Sequence, residues 1–332
     1  MRKSLLVIMV FIIILLFAAY LAFLPQKQQS VFNVSENDSL YINSSYKNSL
    51  HRIYQLNLES NKVKLLFEKE LDDYPTSAFN EESHNMYYSG VVEDGTRQLL
   101  VKNIKNDSVK KLANNLNYVD FLQIDKTHNI IYMRVLVGKN DRNFHVATYN
   151  INTAKIDVWD KKDTDTSVVD FDFNPTINKV LVISKSIKEE FENISYANEN
   201  NVTPDPPTYK FSIYSQNGSL EKHEIEIKKF VRSASLSPNG ETILFNYKDR
   251  LESSSKIATY NRNSKKTEIL LEDPGQLKNI REPLFNSNNS VFYFIADNIE
   301  NNNTSIYFFD LKSKKIQKIW TKKNEDPINI YS

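Results

Sequence analysis

The chain changes rhythm once. From Leu5 to Leu24 every residue is apolar or aromatic. Beyond residue 38, apolar residues come only in short runs, rich in β-branched and aromatic types and broken by Asn, Asp, Ser and Lys. No sustained 3.6-residue period appears there. The pattern therefore predicts one long apolar helix followed by many short strands joined by turns.

The first run is long enough to cross a bilayer, because twenty residues at about 1.5 Å each cover about 30 Å. Arg2 and Lys3 precede it, which predicts an N-terminus in the cytoplasm and the rest of the chain outside. The rival reading is a cleaved signal peptide. Its apolar region is typically about 7–15 residues and ends in a small-residue site. Here the run is longer, and Tyr20-Leu21-Ala22 puts a bulky residue where a small one is needed. Residues 1–4 then form a cytoplasmic tip, 5–24 a transmembrane signal-anchor helix and 25–38 a tether. The expected location is the cell membrane, single-pass, with residues 39–332 extracytoplasmic.

Those remaining residues repeat. A strand–turn–strand unit recurs six times, at His51–Leu58, Leu99–Ile104, Val146–Ile151, Phe211–Ser215, Ile257–Asn261 and Ile306–Leu311. Asn57, Asn103 and Asn150 lie 46 and 47 residues apart, and Asn261 and Asp310 lie 49 apart. A second unit alternates with the first. It opens on Phe79-Asn80, Ile124-Asp125, Phe173-Asn174, Leu236-Ser237 and Phe285-Asn286. Two hairpin units per period make four antiparallel strands, the composition of one β-propeller blade.

The sixth copy of the second unit is split between the chain ends. Tyr331-Ser332 aligns with Phe79-Asn80, and the missing partner strand is Ser39–Ser44. The last strand is thus predicted to complete, from the inside, a blade begun at residue 39. Closure of this kind hides sheet edges. The fold class is all-β: a six-bladed β-propeller of four-stranded antiparallel blades.

Leu236-Ser237-Pro238-Asn239-Gly240-Glu241-Thr242-Ile243-Leu244-Phe245 resembles the SPDG-type turn and strand of TolB-like, WD40-like six-bladed propellers. Ile306–Leu311 resembles another strand of the same repeat. Only one repeat keeps the turn nearly intact; elsewhere it reads Glu81-Glu82-Ser83-His84 or Ser287-Asn288-Asn289-Ser290. The resemblance implies an architecture that hosts binding modules, periplasmic scaffolds and hydrolase accessory domains, so it implies no single activity.

Composition narrows the chemistry. With no Cys, the chain has no disulfide, thiolate metal site or Cys nucleophile. A net charge of +1 argues against broad electrostatic binding of nucleic acid. Six Gly make phosphate-cradling loops improbable, and no G-x-S-x-G elbow or H-x-x-x-H pair is present. The Lys/Asn/Ile-rich make-up looks bacterial. No cofactor is expected.

Asp120, Asp170, Arg232, Arg281 and Glu282 align near the starts of innermost strands, where a propeller opens into its channel. Two readings stand: ion pairs around a water-filled funnel, or a site for a peptide terminus or small polar ligand. The acidic stretch Asp160, Asp163, Asp165, Asp170 and Asp172 lacks the spacing of a calcium loop and reads as an exposed inter-strand segment. An insertion at about 185–209 reads as a surface loop, or as one that covers a channel mouth or meets a partner. The lysines of Lys312–Lys323 suit an outer strand, where they discourage edge pairing. The expectation is a membrane-anchored, non-catalytic binding or scaffold module for a protein, peptide or cell-envelope ligand. The alternative is a lactonase-, lyase- or esterase-like propeller enzyme with a channel metal on Asp120, Asp170, Glu282 and Asn329.

Overall fold

The structure, a computed structural model, describes residues 39–332 except 48, 72–75, 115, 139–141 and 274. The expected anchor and tether, residues 1–38, lie outside the described residues. Among the described residues no helix is long and apolar enough to cross a membrane.

Six four-stranded antiparallel sheets make up the fold. Blade 1 holds β1 (Ser39–Tyr46), β2 (Leu50–Asn57) and β3 (Val63–Glu70). Blade 2 holds β4 (Ser77–Asn80), β5 (Asn85–Val91), β6 (Arg97–Asn103) and β7 (Val109–Lys111). Blade 3 holds β8 (Tyr118–Asp125), β9 (Ile130–Leu136), β10 (His145–Asn150) and β11 (Lys155–Val158). Blade 4 holds β12 (Thr166–Asn174), β13 (Lys179–Ser186), β14 (Tyr209–Ser215) and β15 (Leu220–Ile227), with helix α1 (Ile187–Asn200) between β13 and β14. Blade 5 holds β16 (Phe230–Leu236), β17 (Thr242–Lys248), β18 (Lys256–Asn261) and β19 (Lys266–Glu272). Blade 6 holds β20 (Leu277–Phe285), β21 (Val291–Asn298), β22 (Thr304–Asp310) and β23 (Ile316–Trp320). The last strand, β24 (Glu325–Tyr331), joins blade 1 as its innermost member.

The repeat markers are turn residues. Asn57, Asn103, Asn150, Asn261 and Asp310 each end a third strand and accept a backbone N–H from two or three residues on, as in Ser60 N to Asn57 Oδ1 (2.7 Å) and Ser264 N to Asn261 Oδ1 (2.7 Å). Four residues after each marker the backbone turns left-handed, at Asn61, Asp107, Ala154, Lys265 and Lys314. An Asx side chain that replaces backbone pairing holds such a turn without glycine. This is how a chain with six Gly makes so many tight turns.

The core lies between blades. One cluster joins Tyr87 and Leu99 of blade 2 to Ile131, Met133 and Tyr149 of blade 3. Another joins Phe211 of blade 4 to Phe245 and Tyr260 of blade 5. Aromatic contacts bridge neighbouring blades, including Tyr132 stacked on Phe173 at 4.6 Å and Phe211 edge-on to Phe245 at 5.3 Å.

The ring closes with the strand order the sequence predicts but one residue out of the expected register: Tyr331 pairs with Tyr41 as Ala78 pairs with Tyr87, so it stands level with Ala78 and not with Phe79. β24 pairs antiparallel with β1, with Tyr41 opposite Tyr331 and Ile42 opposite Ile330. Glu325, 4% exposed, accepts three side-chain hydrogen bonds at 2.7 Å each, from Arg52 Nη1, Ser44 Oγ and Tyr54 OH. Asn43 Nδ2 donates to Asn329 Oδ1 (2.5 Å), and the Tyr41 and Tyr331 rings stack at 5.1 Å. The lysines of the C-terminal stretch lie exposed around β23, as expected for an outermost strand.

The insertion differs from the expected loop: it is the 14-residue helix α1. Ser186 caps it, accepting from Glu189 N (3.0 Å), and Glu189 and Glu190 lie in the first turn, where the helix dipole favours acids. Asn201 ends it in the left-handed conformation, φ 53°. Ala197 is its one buried residue; Ile187, Phe191 and Ile194 fall at helical spacing, but Phe191 and Ile194 stay exposed.

Candidate functional site

The channel wall is stitched from blade to blade. Each innermost strand is a sheet edge, so its inward N–H and C=O groups need other partners. The preceding blade supplies them. Thr76 Oγ1 accepts from Leu122 N (2.9 Å), and Gln123 accepts from Phe173 N (2.6 Å). Asp170 Oδ2 accepts from Ala234 N (3.0 Å), and Asp172 Oδ2 from Leu236 N (2.7 Å). Ser233 Oγ accepts from Glu282 N (3.2 Å).

These strands are also bulged. The register shifts between Asp120 and Gln123, between Val168 and Asp170, between Val231 and Ser233, and between Arg281 and Leu284. Phe121 and Glu282 sit at φ 48° and 52° inside two of the bulges. A bulge interrupts the two-residue alternation and re-aims the side chains beside it.

That decides where the five predicted residues go. Asp170 and Glu282 line one cavity of about 50 Å³ with Ser233 and Asn329. Arg232 Nε lies 3.4 Å from Glu282 Oε1, and the Arg232 side chain is 60% exposed. The other two predicted residues are committed elsewhere. Asp120 is bound at both oxygens by Arg134 (2.8 and 2.6 Å), whose Nη1 also donates to Val169 O (2.6 Å). The guanidinium lies between the Phe121 and Phe144 rings, at 4.2 and 4.3 Å. Arg281 pairs with Asp297 (3.2 Å). The charges thus divide into a trio of Asp170, Glu282 and Arg232 and two separate ion pairs. Asp170 and Asp172 belong to β12 and are buried, so only Asp160, Asp163 and Asp165 fit the reading of an inter-strand segment.

Burial sets the acid strength of the channel carboxyls. Asp170 is pushed well above the usual carboxylate range by burial and then by the nearby Glu282 charge, while the Ala234 amide opposes the shift. Asp172 is pushed up to about 6 by burial, against the Leu236 amide. Glu282 is raised by burial and restrained by Arg232 and Arg281.

The cavities described along the channel are small. Besides the first cavity, a second of about 100 Å³ opens beside Tyr41, Lys126 and Tyr331. Small-molecule pockets run from about 300 Å³ upward, so these spaces suit water rather than a peptide terminus or a sugar. The donors suit a channel metal poorly. Asp120 is held by Arg134, Asp170 Oδ2 by a backbone amide and Asn329 Oδ1 by Asn43. Among the described residues no three of His, Cys, Asp and Glu converge.

The larger space lies beside α1. A cavity of about 330 Å³ is lined by Asn193, Tyr196, Val202, Pro204, Asp205 and Arg250, among others. Asn193 Nδ2 donates to Asp205 O (3.1 Å), which ties the helix to the proline-rich segment after it. Asp165 Oδ1 accepts from Lys188 N (2.8 Å), and Arg142 lies 5.4 Å from the Phe191 ring, so the helix also meets blade 3 loops. The sequence reading allowed this insertion to cover a channel mouth or meet a partner but named no binding residue in it and no helix, although Ser186-x-x-Glu189 has the form of a capping box.

Strand direction sets which face is which. α1 joins a second strand to a third, whereas β1 begins and β24 ends where first strands turn into second ones. In an antiparallel blade those two connections lie at opposite ends. α1 and its cavity therefore stand on the face opposite Ser39 and Tyr331.

The six four-stranded sheets define a class, the six-bladed β-propeller. No protein-family model matches the chain. The uncharacterized protein YdjN of Bacillus subtilis (strain 168) is 24% identical over 308 residues, covering 88% of this chain and 86% of that protein. TolB from Acinetobacter baumannii superposes with a TM-score of 0.58 at 12% identity, over 88% of this chain and 66% of TolB. Oligogalacturonate lyase from Vibrio parahaemolyticus superposes with a TM-score of 0.53 at 11% identity, over 87% of this chain and 75% of the lyase. At these identities the likeness is one of fold, that of a TolB-like propeller.

Proposed function

We propose that this protein is a membrane-anchored, extracytoplasmic binding module that engages a cell-envelope ligand or partner through the face bearing α1. The observation that carries the reading is the placement of α1. The propeller begins at Ser39 on one face, and α1 stands on the opposite face. That opposite face has the one helix among the described elements and the largest cavity described above. The sub-ligand size of the channel cavities and the prior commitment of Asp120 and Arg281 speak for binding outside the channel.

The test uses the full-length chain. Cell fractionation with protease accessibility is expected to place the protein in the membrane fraction, with the propeller digestible from outside. Replacing residues 187–207 by a short Gly-Ser link is expected to abolish recovery of envelope components that co-purify with the wild type. A soluble wild-type protein, or unchanged recovery by the shortened variant, overturns the reading.

A further inference from the structure

We propose that the cavity between α1 and the β17–β18 loop binds an anionic sugar, a pyranose ring bearing a carboxylate. The inference rests on the α1 face being the binding face and adds the chemistry of what it takes. The volume of about 330 Å³ lies at the low end of small-molecule pockets and suits one or two sugar rings.

The lining specifies the rest. Tyr196 is 64% exposed and Val202 53%, so an aromatic face and a branched apolar side chain stand open beside Pro204. Leaving such surface in water is unfavourable, and the C–H face of a pyranose is flat enough to cover it. Arg250 also lines the cavity. Its backbone N–H is held by Ser253 Oγ (3.2 Å), which fixes the loop, while among the described residues its guanidinium has neither ion-pair nor hydrogen-bond partner. A guanidinium matches a carboxylate with two parallel hydrogen bonds. The Asp205 carboxylate is likewise without a partner among the described residues, and it suits the hydroxyl donors of a sugar.

An extended peptide fits less well. Peptides that add to a protein edge use alternating backbone donors and acceptors. The rim Thr203-Pro204-Asp205-Pro206-Pro207 has no N–H at three of five positions. Its one Asp carbonyl is already taken by Asn193.

The experiment titrates the full-length protein in detergent with glucuronic-acid oligosaccharides and with matched neutral glucose oligosaccharides, read by calorimetry. Saturable binding of the uronate is expected, with the neutral sugar at least about tenfold weaker. Arg250→Ala and Tyr196→Ala are each expected to weaken uronate binding by about tenfold without moving the melting temperature, since both side chains are exposed. Absence of saturable uronate binding, equal binding of the neutral sugar, or an undiminished Arg250→Ala variant overturns the proposal. So does preferential binding of an acidic peptide at the same residues. If no sugar binds while the 187–207 replacement still abolishes co-purification, the sugar inference falls and the assignment of the face stands.

Discussion

Arg52 Nη1 lies 2.7 Å from Glu325 Oε1, an ion pair between residues 273 apart in the chain. It joins the third strand of the first blade to the innermost strand that closes the ring. Tyr54 and Ser44 donate to the same carboxylate. Glu325→Ala leaves these donors around a space that the acid filled. A loss of about 3 kcal/mol is expected, in the range for breaking a buried pair. Urea unfolding of the two proteins checks it, and a midpoint within error of the wild type would show that the closure is held elsewhere.

Gln123 holds two backbone groups of β12, accepting from Phe173 N and donating to Phe171 O. Gln123→Leu keeps much of the bulk and removes both bonds. The unpaired Phe173 N–H is expected to cost about 1–3 kcal/mol. Thermal unfolding measures the loss. Hydrogen exchange should show Phe173 losing protection first.

The channel acids set a pH dependence. Asp172 has a folded-state pKa of about 6, above its ordinary value, and Asp170 and Glu282 are raised as well. A raised carboxyl binds protons more tightly in the folded state, so it destabilises the fold once ionised. These groups alone therefore make the protein more stable as pH falls from 7 toward 5. Asp172→Asn and Asp170→Asn are each expected to reduce that gain. Melting temperatures across the range are the measurement, and equal slopes in wild type and both variants would contradict the assignment.

The α1 cap is a local device. Ser186→Ala is expected to cost about 1 kcal/mol of helix stability. Because only Ala197 of the helix is buried, the loss should appear in helix amide exchange and leave the propeller transition in place.

The legible parts of the sequence were those that repeat. The Asn and Asp markers could be read because the same side chain caps the same turn in most blades, and the split unit at the ends because the two fragments are complementary strands, although their pairing sets Tyr331 level with Ala78 and not with Phe79. The channel charges could be placed on their strands but not aimed. Between Asp120 and Gln123 the bulge breaks the alternation on which facing is counted. Nothing in the local sequence tells Asp120 that its partner is Arg134, fourteen residues on in the next strand. α1 escaped because its apolar residues at helical spacing, Ile187, Phe191 and Ile194, are few among polar neighbours, and the helix buries one alanine.

The closure also sets a clock. Arg52 is synthesised 273 residues before Glu325. At ordinary rates of translation that interval is roughly 15–50 s. Throughout it, β1 has a free inner edge where β24 will pair, and blade 6, once made, still faces an incomplete neighbour. The other five blades complete their strands within one repeat. The first blade to begin is the last to be finished, and the chain must keep that edge from pairing wrongly until its own end arrives.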